Sequence, residues 1–245
     1  MSMLSMAGQM MVLAKAEKEA DFFIHYFLEY QLFGHTFYLT STHISLIIVT
    51  VLIMIFTVCA SRKMKHPDEV PGTFQNIVEL IVEMLDNMVR GIMGENARRF
   101  VNYLSTVFIF ILISNISGLL GLRAPTADYG VTLPLGLITF ALIHYNGIRK
   151  NKIKHLTNLF QPFALLFPIN LIGELAVPLS LSLRLFGNVL SGTVMMGLLY
   201  GLTPIFVQIG IPAAAHVYFD IFSGAIQTYV FCMLTMVYVN DKIAD

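Results

Sequence analysis

Between residues 156 and 240 the only Asp, Glu, Lys or Arg side chains are Glu174, Arg184 and Asp220. The tract around them is otherwise mostly apolar, and each of the three suits a different task. The carboxyls of Glu174 and Asp220 can gain and lose protons, whereas the Arg184 guanidinium effectively keeps its own. A path for protons would use groups of the first kind. A fixed cation would stop protons and would hold a passing carboxylate ionised. Charges deep in a bilayer are costly and mark functional sites.

The neighbours of these residues recur at helical spacing. Ser180, Arg184, Asn188 and Ser191 form one polar stripe, and His216, Asp220, Ser223 and Gln227 form another. If the two segments fold back antiparallel about a turn at "YGLTPIF", broken by Gly201 and Pro204, Arg184 comes level with Gln227 and Thr193 with Asp220. One stripe alone would serve as an interhelical hydrogen-bond seam. Two stripes at matching depth, with an arginine and a carboxylate, suggest an ion path. Glu174 lies about 15 Å before Arg184 along a helix and off its face, so the two are not a local pair. The chain offers few proton carriers of its own, so the mobile carboxylate is expected on a partner. Gly187, Gly192, Gly197 and Gly224 would let neighbouring helices approach closely.

The elements that must hold these residues are membrane helices. The chain has 245 residues, 56% of them apolar and 12% charged, against about 25% charged in soluble domains. Its formal net charge is zero, which leaves no bulk basic footprint for nucleic acid. Spans are predicted at 43–60, 100–121 and 130–147, followed by a long tilted hairpin with arms 156–200 and 204–240. Residues 71–93 alternate apolar and polar faces behind Pro71. They are expected to lie as an amphipathic helix on the membrane surface or on the edge of the bundle. The expected architecture is an all-α integral membrane protein of one membrane domain, with five transmembrane helices plus this surface helix. Residues 1–42 are an extracytoplasmic N-terminal segment with no cleavable signal peptide expected.

Lys and Arg placement sets the orientation. With the N-terminus outside, Arg62, Lys63, Lys65, Arg90, Arg98, Arg99, Arg149, Lys150, Lys152, Lys154 and Lys242 fall inside. Only Lys15, Lys18 and Arg123 fall outside. Cys59 and Cys232 lie in apolar segments without partner spacing and are read as packing residues. No metal site and no cofactor are expected.

The stretches "LSLSLRLFGNVLSG", "PGTFQNIVELIVEML", "ISNISGLLG" and "IQTYVFCMLTMVYV" closely resemble the a subunit of the F-type ATP synthase, over roughly residues 40–240. The resemblance implies a stator subunit of the bacterial plasma membrane. Its implied partners are a ring of c subunits that each carry a carboxylate, the peripheral-stalk b subunits and the rest of the synthase. It implies two offset half-channels separated by Arg184. Asn188 and Gln227 match polar residues beside that arginine, and Asn115 matches an asparagine of the outer half-channel. Glu174 matches a glutamate of the inner one. Some members carry Glu at the position of Thr193 and His at that of Asp220. Here the acid stands on the last helix, which keeps one titratable group at that depth and leaves the part of His216 open. The ATP chemistry would belong to other subunits.

Three other readings compete. A secondary transporter would usually show internal repeats, and none is convincing between 40–150 and 156–240. A purely structural subunit would not need Arg184 or Asp220. An intramembrane hydrolase would need a paired nucleophile and base, or metal-ligand spacing, and neither is apparent.

Overall fold

A computed structural model describes residues 26–32, 35–64, 72–151, 167–202 and 210–243. Two short strands, β1 (Tyr26–Leu32) and β2 (His35–Thr40), pair antiparallel, with Leu32 opposite His35 and Tyr26 opposite Thr40. This small sheet precedes the membrane helices, and the all-α expectation holds from Ser41 onward. Tyr, Phe and Thr dominate the two strands, residue types that fit a pleated surface.

The helices are α1 (Ser41–Lys63), α2 (Thr73–Met93), α3 (Ala97–Ile116), α4 (Tyr129–Asn151) and α5 (Phe167–Leu202). The last arm consists of α6 (Ile211–His216), a π-helical segment (Val217–Ser223) and α7 (Gly224–Ile243). Short 3₁₀ turns follow α2, at Gly94–Asn96, and α3, at Ser117–Leu120. Among the described residues five helical stretches are long and apolar enough to cross a membrane: Ser41–Lys63, Thr73–Leu120, Tyr129–Lys150, Phe167–Gly201 and Ala214–Ile243. Such surfaces suit lipid: Met54 on α1 and Leu80 on α2 are 62% and 66% exposed.

The helices extend beyond the predicted spans in most places. The α1 helix begins two residues early, and α3 begins at Ala97 and gives way to 3₁₀ geometry after Ile116. Pro71, residues 156–166 and the turn at Thr203 to Phe206 lie outside the described residues. The α5 helix has 36 residues, about 54 Å of rise. That is nearly twice the ~30 Å hydrocarbon depth, so a helix of this length must lie oblique or protrude. The second arm is not one regular helix, because the π segment interrupts it.

The core joins α2, α3, α4, α5 and α7 through Val89, Phe100, Leu104, Ile111, Ile143, Leu181, Leu185, Phe231, Met236 and Val239, among others. Lipid removes the hydrophobic drive between helices, so close packing and small residues must hold them. Gly136 of α4 is such a residue. A Cβ there would stand 2.6 Å from the Pro178 carbonyl oxygen of α5. The two readings of α2 both apply in part. Val78, Leu85, Val89 and Met93 are buried, and the helix packs on α3 and α7. Phe74, Ile77, Ile81 and Val82 remain exposed, an apolar strip for the membrane surface. Gly94 ends this helix with φ +55°, a conformation that costs most residues dearly. Cys232 is buried in the core as expected, but Cys59 is exposed on the outer side of α1 and packs against nothing central.

Candidate functional site

The hairpin register predicted from the two polar stripes is present. Ser223 of the π segment donates to Asn188 Oδ1 of α5 at 2.8 Å. Gly192 faces the Phe219 ring, and Tyr200 stacks obliquely near His216 with ring centroids 6.1 Å apart. Glu174 at the start of α5 meets Lys242 at the end of α7. These pairs run in opposite directions along the two arms, so the arms are antiparallel. The hairpin carries two polar clusters, one around Asp220 of the second stripe and one around Glu174, and Arg184 lies between them along α5.

The first cluster centres on Asp220, inside the π segment. An inserted π turn is uncommon and often marks a functional site. The carboxylate is joined to His216 Nδ1 at 2.7 Å, and both side chains are partly buried. It rests against Gly118, just past the end of α3, where an added Cβ would lie 3.6 Å from the carboxyl carbon. One turn earlier, Asn115 is 3% exposed. Its amide donates to the Gly224 carbonyl at 3.1 Å and to Thr228 Oγ1 at 3.3 Å, and its carbonyl oxygen accepts from Thr126 at 2.7 Å. These bonds tie α3 to the base of the π segment. A Cβ at Gly224 would come 3.0 Å from the Asn115 Cβ, so this glycine permits the approach.

The second cluster centres on Glu174. One carboxylate oxygen accepts from Lys242 Nζ at 2.7 Å, and the other stands 3.7 Å from His144 Nε2. Three helices, α4, α5 and α7, thus meet at one acid, with the three side chains 22–26% exposed. Of this group the sequence picked out only Glu174. Lys242 could have been found by carrying the hairpin register on toward the end of the chain. His144 had no such signal, since α4 lies outside the hairpin.

Arg184 is between the clusters on α5. The face of α5 that carries Leu181, Ser182 and Leu185 is buried, and Arg184 is exposed on the other side. It makes no hydrogen bond or ion pair among the described residues. Exposed Leu179, Leu183 and Leu190 flank it on the same helix. Gln227, expected level with Arg184, is partly buried, and its amide nitrogen is enclosed without a hydrogen-bond partner among the described residues. Thr193 does not join the Asp220 cluster directly. It is exposed, and its hydroxyl donates to the Val189 carbonyl of its own helix at 2.9 Å. Among the described residues no group of three His, Cys, Asp or Glu side chains is arranged to hold a metal ion.

Comparison with known proteins adds a family. The family described as ATP synthase A chain matches residues 43–240. The sodium ion specific ATP synthase subunit a of Propionigenium modestum is 37% identical over 217 residues, covering 81% of this chain and 74% of that protein. ATP synthase subunit a of Oceanobacillus iheyensis is 38% identical over 217 residues, covering 81% and 88%. That of Bacillus velezensis is 32% identical over 243 residues, covering 90% and 98%.

Proposed function

We propose that this chain, which belongs to the ATP synthase A chain family and so is a multi-pass membrane subunit of an ATP synthase complex, carries two ion half-channels separated by Arg184. The observation that carries this reading is the position of Arg184. It stands exposed and unpaired among the described residues, between an acid cluster at Asp220 and an acid cluster at Glu174 on one antiparallel hairpin. A permanent cation set among exposed leucines in a membrane helix calls for an anion from elsewhere. A carboxylate carried past it by a ring of c subunits would meet that need.

The steps follow from elementary electrostatics. At 4 Å a carboxylate opposite an arginine gains about 4 kcal/mol with an effective dielectric of about 20. The ring carboxylate therefore ionises as it reaches Arg184 and gives its proton to one half-channel. Once past the arginine it loses that stabilisation and takes a proton from the other half-channel. Asp220 and His216 serve the outer path with Asn115, Asn188 and Gln227, whereas Thr193 stands apart from their cluster. Asn115 holds the seat of Asp220 through its bonds to Gly224, Thr228 and Thr126. Glu174, with His144 and Lys242, serves the inner path. The chain itself carries no catalytic chemistry, no metal and no cofactor in this reading, and the nucleotide is handled by other subunits.

The peripheral-stalk b subunits hold the chain against the turning ring. The membrane is a bacterial plasma membrane, and the Lys and Arg distribution supports an N-terminus outside and a C-terminus in the cytoplasm. Arg184→Lys tests the reading. Lysine keeps a charge but has a pKa that burial can lower, and it lacks the planar fork. Coupled ATP synthesis is expected to be abolished in vesicles bearing the assembled complex. Synthesis at the unaltered rate would contradict a role specific to arginine.

A further inference from the structure

At the end of the bundle where α3 begins and α4 and α7 finish, an open cavity of about 240 Å3 is lined by Asn96, Arg99, Asn146, Arg149, Lys150 and Ile243. Among the described lining residues half of the side chains are cations and none is a carboxylate. Lys150 donates to the Ile243 carbonyl at 2.5 Å, which ties the end of α4 to the last turn of α7 and fixes one wall. Arg99 and Arg149 are exposed and make no hydrogen bond or ion pair among the described residues. Glu95 and Asp241, the nearest acids in sequence among the described residues, are outside the described lining.

Ordinary helix electrostatics accounts for part of this. Arg149 and Lys150 lie in the last turn of α4, where the helix dipole favours cations. It does not account for Arg99, which lies beside Arg98 in the first turn of α3 with no acid in that turn. There the dipole disfavours a cation by about 0.3–1 kcal/mol. An anion in the cavity would be favoured by the same dipole and by all three cations. A preference for positive charge on one side of the membrane would place Lys and Arg at this end, but it would not gather them around a cavity with two amides.

We propose that this cavity binds a phosphate group, and that at the membrane surface the group comes from an anionic lipid headgroup. Basic pockets between helices at this level suit such headgroups. Pockets for drug-sized ligands measure about 300–1,000 Å3, and at about 240 Å3 this open cavity has room for a phosphodiester head. The inference does not depend on the half-channel reading, because none of its residues belongs to either acid cluster.

The test is a titration of phosphatidylglycerol, and of phosphatidylcholine as control, into the detergent-purified full chain, followed by native mass spectrometry. Phosphatidylglycerol is expected to bind more tightly. Arg99→Gln and Arg149→Gln should each weaken it about fivefold, and the double variant should lose most of the preference. Arg62→Gln with Lys63→Gln, exposed at the end of α1 and not among the lining residues, should change it less than twofold, about the limit of the method. Competition by inorganic phosphate at about 10 mM would assign the site to free phosphate, and absence of competition assigns it to the lipid. Melting temperatures close to that of the parent chain show that the variants are folded. If the glutamine variants melt early, Arg99→Lys with Arg149→Lys takes their place and must keep the preference. An unchanged preference in the double glutamine variant, or an equal loss in the α1 control, overturns the proposal.

Discussion

The Asp220 and Glu174 clusters each place one carboxylate beside one histidine, but they differ in what else is present. Asp220 has His216 at 2.7 Å and the bare backbone of Gly118 on its other side. Glu174 has the ammonium of Lys242 at 2.7 Å, with His144 more distant at 3.7 Å. In the proposed reading the first cluster carries the proton transfer, while the second also joins three helices. The backbone reflects this: Asp220 is carried on an irregular π segment, whereas Glu174 and Lys242 stand on regular helices.

The largest effect should come from the first cluster. Asp220→Asn removes the transferable proton while keeping the shape, and ion-driven synthesis should fall about a hundredfold, the scale of a lost acid–base group. The assembled complex should be recovered in normal amount. Proton pumping at the parent rate would dismiss Asp220 from the path.

Breaking the second cluster should cost stability as well as rate. Glu174→Gln removes the ion pair with Lys242, a loss of about 1.5–3 kcal/mol. Glu174→Gln combined with Lys242→Gln should recover most of the thermal stability but not the rate of synthesis. Recovery of both would make the acid purely structural. Cysteine at position 174 should react with a membrane-impermeant thiol reagent from the cytoplasmic side, and labelling only from the outside would refute its placement on the inner path.

A smaller effect is expected at the joint beneath Asp220. Gly224→Ala sets a methyl 3.0 Å from the Asn115 Cβ. The helices must part slightly, at about 1 kcal/mol in stability, and synthesis should drop several-fold as Asp220 shifts from Gly118. A thermal melt and a synthesis assay on the same preparation would show both, and no change in either would mean that the joint does not position the acid. Thr193→Val should do least. Its hydroxyl is already bonded within its own helix, so stability should move by no more than about 0.5 kcal/mol. A loss of synthesis as large as that of Asp220→Asn would place Thr193 in the path itself.

What could be read from the sequence followed from the cost of charge in lipid. Glu174, Arg184 and Asp220 stood out because so little else in a long apolar tract is ionisable. The antiparallel register followed from two stripes of equal spacing. The π segment could not be read, because spacings of four and three residues fit a regular helix equally well. The bonds of Asn115 were hidden for another reason. Its partners Thr126, Gly224 and Thr228 are far apart in sequence and ordinary in type. His144 carries no such signal, being one histidine on a separate helix. The sheet before Ser41 was missed because the apolar signal that marks membrane helices says nothing of a segment outside them.

The central claim is that Arg184 separates the paths on either side of it. The direct measurement is passive proton flow through the membrane sector bearing Arg184→Ala, in vesicles with and without the c ring. Without the cation, a protonated ring carboxylate should slip from one half-channel to the other without a full turn. The account predicts an ion leak that appears only when the ring is present, together with loss of coupled synthesis. A tight membrane and a fully coupled enzyme bearing Arg184→Ala would contradict it.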